Sequence, residues 1–209
     1  MPCGFKELLE KIAAEKVSGP SPTFSVLHMV LAMELIAERN IGRNKLADNL
    51  SVGEGAVRTI IKRLKDSGFI EISKSGCALT EKGSGFWKKY KAVFKKKVEF
   101  GKSELALSDH NFIILVRKHG LKIRSGMDQR DAAIMVGAKS ATTIIFKNGR
   151  LAIPSVSNDV AKDFPKTAAK IIELLEPHEN DAIVIGSGDT SEKAQYGTLA
   201  AAWTLIDDC

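Results

Sequence analysis

From Ala56 onward, apolar residues fall at Val57, Ile60, Ile61 and Leu64. This is the i, i+3, i+4, i+7 spacing of a helix with one face to bury. The other face carries Arg58, Thr59, Lys62, Arg63 and Lys65. Such a helix must lay its stripe on a core and turn its cations outward, and its flanks limit what that core can be. Ser67-Gly68 ends it, glycine being common just past a helix C-terminus. Before it, Arg43-Asn-Lys-Leu-Ala-Asp-Asn-Leu reads as a short helix burying Leu46, Ala47 and Leu50, followed by Ser51-Val52-Gly53-Glu54-Gly55. A glycine loop at a helix start can cradle a phosphate. That use needs a buried strand before it and a spacing such as G-x-x-x-x-G-K-[ST], and neither is present. Gly53 falls instead at the expected N-cap, a position glycine tolerates. Gly-Glu-Gly is a bend between two helices.

The neighbouring segments complete a unit. Phe24 to Arg39 follows Pro20 and Pro22 and is apolar almost all round, so it reads as a core helix capped by Thr23 or Ser25 and stopping near Asn40-Ile41-Gly42. His28 within it is a satisfied core or boundary histidine, since no second ligand lies at metal spacing. Phe69 to Thr80 alternates around Lys74-Ser75-Gly76 as a short hairpin. Three helices with a tight turn between the last two, then a hairpin, make a winged helix-turn-helix.

The stretch VGEGAVRTIIKRLKDSGFIEISKSGCALTEKG, within about Phe24 to Gly85, resembles the winged helix domains of bacterial and archaeal regulators. Among these it resembles notably the N-terminal domain of the central glycolytic gene repressor. The layout of the whole chain is similar to archaeal proteins in which such a domain precedes a domain of unknown function. The resemblance implies a DNA-binding transcriptional regulator. In this fold the second helix of the pair enters the major groove and its N-terminal residues face base edges. Arg58, Thr59 and Lys62 are then the expected base readers, and Arg43, Lys45, Arg63 and Lys74 the expected phosphate contacts. Winged helices also serve as protein-interaction modules, and that alternative stays open.

Charge divides the chain in the same way. Residues 1–100 hold 18 Lys+Arg against 11 Asp+Glu, a net of +7, whereas residues 101–209 hold 13 against 14, a net of −1. A basic first half suits a polyanion partner. Glu81 to Lys97 continues as a helix with Phe86, Trp87, Tyr90, Val93 and Phe94 on one face and lysines 88, 89, 91, 95, 96 and 97 over the rest. It either packs on its own domain or serves as a dimer or linker helix. Paired subunits are the usual way such readers gain affinity, so a homodimer is expected. No apolar run approaches the ~18–20 residues of a spanning helix, and MPCGFKELLEKIAAEK lacks the apolar core of a secretory signal. Cys3, Cys77 and Cys209 are far apart and form no C-x-x-C pair, which fits the cytoplasm; Cys77 reads as a buried small residue.

Residues 99–109 read as the join to a second domain. Within it, Phe112 to Val116 and Ala132 to Val136 are expected strands. Thr142 to Pro154 is a hairpin turning at Asn148-Gly149, Val160 to Leu175 a helix, Asp181 to Gly186 a strand and Ser191 to Ile206 a helix. The expected class is α+β, with a mixed or antiparallel sheet of about five strands covered by helices. The divisions are 1–98 for the winged helix-turn-helix with flanking helices, 99–109 for the linker, and 110–209 for a ligand-binding or dimerisation domain.

Two stretches in this half could hold a ligand. Gly186-Ser187-Gly188-Asp189-Thr190 runs from a strand toward a helix start, where free amides can bind an anion; Asp189 with Glu192 is equally a plain capping box. Asp128, Arg130 and Asp131 could line a polar pocket or form a surface ion-pair group. His110, His119 and His178 are scattered. No catalytic pair, metal set or cofactor motif emerges. The leading expectation is a sequence-specific DNA-binding regulator with an effector-sensing or dimerisation domain. The alternative is an enzyme or anion binder using the Gly186 loop with Asp128, Arg130 and Asp131.

Overall fold

The computed structural model describes residues 4–14 and 23–206. The described residues divide into two compact units, one ending at Lys91 and the other beginning at Ala92. The two termini of the sequence and residues 15–22, including Cys3, Cys209, Pro20 and Pro22, lie outside the described residues.

The first unit opens with α1 (Gly4–Ala14), whose Phe5, Leu9 and Ile12 are buried. Then come α2 (Val26–Glu38), α3 (Arg43–Leu50) and α4 (Glu54–Asp66). Ser25 caps α2, its hydroxyl accepting from Leu27 N–H at 3.2 Å while the Ser25 N–H donates to His28 Nδ1 at 3.0 Å. Burial holds the His28 imidazole below its ordinary value of 6.5. The folded chain therefore binds a proton less readily than the unfolded chain. Its contribution is present above pH 6.5 and is lost as pH falls below it. Lower amide protection factors in α2 at pH 5.5 than at pH 7.5, once the intrinsic exchange rate at each pH is divided out, with the difference flattened in His28→Gln, are the expected outcome.

Gly53 is the N-cap of α4, and Val57, Ile60, Ile61 and Leu64 are its buried stripe. Gly68 follows with φ +73°, the left-handed turn that releases the chain into the wing. The wing is β1 (Ile70–Ser73) paired antiparallel with β2 (Gly76–Leu79), and Ile41 adds a bridge to Cys77. Gly76 has φ +115°, and a Cβ there would lie 2.7 Å from the Ile41 carbonyl, so the residue closing the wing must be glycine. Cys77 is buried, and burial raises its thiol pKa. α5 (Glu81–Val93) packs Phe86 and Tyr90 inward. Phe5 meets both rings edge-on, and Trp87 stacks on Tyr90 at 4.6 Å.

The second unit is α+β. Its sheet has the order β3-β4-β7-β5-β6, with β3 (Phe94–Glu99), β4 (His110–Val116), β5 (Ser140–Lys147), β6 (Arg150–Ala152) and β7 (Ala182–Gly188). Every neighbouring pair is antiparallel. α6 (Met127–Met135), α7 (Val160–Asp163), α8 (Pro165–Leu175) and α9 (Ser191–Trp203) complete it. One core gathers Ile113, Leu115, Ile144, Ile183 and Ile185 of the sheet with Val160 of α7 and Ala168, Ile171 and Leu175 of α8. α9 packs on β4 and β7, and α6 packs beside it on β5. The expected helix over 160–175 is broken at Phe164, where Pro165 starts a new helix.

Two elements differ from the sequence expectation. Ala132 to Val136 is not a strand: it ends α6, which buries Gln129 and Ala133 and leaves Ile134 and Met135 exposed. A short apolar run does not separate strand from helix, and two alanines favour the helix. The missing fifth strand is Phe94–Glu99, expected as a continuing helix within residues 1–98. It joins the second unit's sheet, with Val98 opposite Ile113 and Glu99 opposite Phe112. Lys95 and Lys96 are exposed on this edge strand, where lysines guard an open edge against pairing with another chain.

Candidate nucleic-acid interface

α4 and the wing enclose a cleft of about 590 Å³. Arg58, Lys62 and Lys65 line it from α4, spaced i, i+4, i+7. Arg43 lines it from the start of α3, and Lys74 from the wing tip. All five side chains are exposed. Lys65 belongs to this stripe although it was not among the expected DNA contacts; its helical spacing from Arg58 was the available signal. Asp66 is the acidic residue of the lining. Ile72 stands 52% exposed on the wing beside the cations, an apolar surface among charges.

The expected readers occupy different settings. Arg58 reaches back to Glu54 at 3.4 Å, an exposed i, i+4 pair that a stronger anion can displace. Lys62 is exposed. The Thr59 hydroxyl donates to the Gly55 carbonyl at 3.0 Å and the residue is half-buried. Lys45 is exposed on α3 but does not line the cleft. Arg63 is corrected outright. It is only 4% exposed, its guanidinium donates to the Ala13 carbonyl and lies 5.3 Å from the Phe24 ring centroid. It sits one turn from Ile60 beside the apolar stripe, and α1 closes over it, so it fastens the helix bundle and no phosphate can reach it.

The ligand candidates of the second unit do not assemble. Gly186, Ser187 and Gly188 lie inside β7 and are buried. A Cβ at Gly186 would come 2.2 Å from Thr198 Oγ1, and one at Gly188 would come 2.6 Å from Ala194 N. These glycines admit α9 against the sheet, and no ligand space is left over them. The Ser187 hydroxyl donates to Asn111 at 2.6 Å. Thr190, not Asp189, caps α9, accepting from Lys193 N–H at 3.2 Å. Asp189 pairs with Lys139 at 2.5 Å; this bond lowers its carboxyl pKa and raises that of the lysine. Asp128, Arg130 and Asp131 are exposed on α6, and Arg130 pairs with its neighbour Asp131 at 3.1 Å, a surface group.

Among the described residues, no group of three His, Cys, Asp or Glu could hold a metal ion. Among the same residues, no helix is long and apolar enough to cross a membrane. His178 and His119 do belong to a structured node: the Arg117 guanidinium bonds His178 Nδ1 at 2.6 Å and Asp181 at 2.5 Å, and His119 Nδ1 meets the Arg117 carbonyl.

Comparison with known proteins gives two family matches. Residues 23–94 match the family described as CggR N-terminal DNA binding domain. Residues 107–205 match the Domain of unknown function (DUF4443). No curated protein matches the chain. Among solved structures, a hypothetical protein, PH0730 from Pyrococcus horikoshii OT3, shares the fold with a TM-score of 0.71 at 24% identity, over 87% of this chain and 92% of that one. The chain is thus similar to a CggR N-terminal DNA binding domain in its first part and to the DUF4443 domain in its second.

Proposed function

We propose that the protein is a sequence-specific transcriptional regulator that reads duplex DNA with α4 and the wing. The observation that carries this reading is the cleft itself: Arg43, Arg58, Lys62, Lys65 and Lys74 converge there from three elements, with Asp66 as the opposing charge. Arg58 and Thr59, in the N-terminal half of α4, and Lys62, one turn after Arg58, are the base readers. Arg43, Lys45, Lys65 and Lys74 contact phosphates and fix register. The chain acts in the cytoplasm as a homodimer reading two half-sites. The second unit, a DUF4443 match, supplies dimerisation or the sensing of a small effector. An effector would act by binding two half-site spacings unequally.

The two kinds of contact separate by experiment. Arg58→Ala should cost about 1–3 kcal/mol at the preferred site, roughly 5- to 150-fold, and relax preference at the base it reads. Lys74→Ala should weaken all sequences alike and reduce the salt slope by about one counterion. Fluorescence anisotropy from about 0.05 to 0.2 M salt reads both. If Arg58→Ala left site preference intact, base reading by α4 would be lost as an explanation.

A further inference from the structure

The first unit has a second concavity, a groove of about 350 Å³ between α1 and α5, near the lower end of the ~300–1,000 Å³ range of small-molecule sites. Its walls are Phe5 and Leu8 of α1 and Phe69 and Phe86, with Lys82 and Lys89 at its margins. Phe5, Phe69 and Phe86 are nearly sealed by the core behind them, whereas Leu8 is 39% exposed. The floor is therefore apolar and fixed, and the rim is cationic. Lys82 is held in place: its ammonium donates to the Ser67 carbonyl at 2.7 Å and lies 5.2 Å from the Phe69 ring centroid. Two of its three N–H donors remain for another acceptor. Lys89 is exposed.

A glycine opens this groove. Lys82, Gly85, Phe86 and Lys89 form one i, i+3, i+4, i+7 stripe of α5, and all four line it. Glycine inside a helix costs about 1 kcal/mol relative to alanine. At Gly83, two residues earlier, packing explains that cost, because a Cβ there would sit 2.0 Å from the Phe69 carbonyl oxygen. At Gly85 nothing lies within 4 Å of the missing Cβ and φ is not positive, so neither packing nor backbone demands glycine. What the absent side chain does provide is the open space between the two lysines.

We infer that this groove binds a small carboxylate with an apolar tail, the tail against Phe5, Leu8, Phe69 and Phe86 and the carboxylate between Lys82 and Lys89. Aromatic walls take an alkyl or aryl body, and two ammonium groups at one rim select an anion over its neutral analogue. The site stands in the DNA-binding unit and does not depend on what the second unit does.

The test uses the full chain labelled with nitrogen-15, titrated with octanoate and separately with octanamide. Expected are saturable amide shifts at Leu8, Gly85, Phe86 and Lys89, with octanamide about tenfold weaker. Gly85→Leu, whose side chain would occupy the groove, should abolish the shifts while circular dichroism shows an unchanged fold. Lys89→Gln should bring octanoate close to octanamide, which keeps the test decisive if Gly85→Leu misfolds. Absence of saturable shifts at these amides, equal affinity for the two probes, or octanoate binding unchanged in either variant would each overturn the inference.

Discussion

Asp181→Ala is expected to destabilise the second unit by about 3 kcal/mol, the low end of the range for removing one partner of a buried ion pair, because the Arg117 side chain is 24% exposed. Asp181 is 0% exposed. Its carboxylate accepts from the Arg117 guanidinium at 2.5 Å, from Lys118 N–H at 3.0 Å and from His178 N–H at 2.8 Å. Alanine would leave a guanidinium and two amides without their acceptor where β4 ends and β7 begins. Against a typical domain stability of about 5–15 kcal/mol, that loss leaves little margin. Asp181→Asn should cost less, because its amide oxygen can still accept from a backbone N–H. Urea unfolding, with amide exchange read in β4 and β7, checks both. A midpoint in Asp181→Ala equal to the parent would mean that the node contributes nothing net.

Gly83→Ala should be comparably severe for the DNA-binding unit, about 3 kcal/mol, the upper end of ordinary overpacking. The added Cβ would stand 2.0 Å from the Phe69 carbonyl oxygen and 2.9 Å from its carbon, so backbone would have to move, not a side-chain tip. Phe69 follows the turn that ends α4 and precedes β1, and the Thr80 N–H donates to this same carbonyl at 3.0 Å. Pushing it shifts the recognition helix and the wing against each other. The variant should melt earlier, and its DNA affinity should fall with the folded fraction. A parent-like melt would show that α5 can withdraw from Phe69 at little cost.

The helices of the first unit were legible because each local signal agreed with the packing. Ser25 capped, Gly53 began a helix, Gly68 ended one, and the Val57–Leu64 stripe faced the core. Arg63 was not legible, since its burial depends on the Ala13 carbonyl, fifty residues away in α1. In the second unit the Asn148-Gly149 hairpin followed from turn chemistry alone, with Asn148 at φ +53° and Gly149 at φ +70°. The exchange of strands between Ala132–Val136 and Phe94–Glu99 had a different cause. Five residues of either segment suit either structure, and the choice rests on which one finds β4 as a partner. The Gly186 loop misled for a related reason. Glycines that let a ligand approach a backbone and glycines that let a helix approach it have the same sequence, and only Thr198 and Ala194 distinguish them.

Sequence reading by the α4–wing cleft is tested most directly by selection. The whole protein is bound to pooled fragments of its own genome with excess random competitor, at about 0.15 M salt, where exposed charges are largely screened. Enrichment of a few fragments, lost in Arg58→Ala, is the expected result. Recovery no better than competitor would contradict it, because the basic cleft would then hold DNA by charge alone and select nothing.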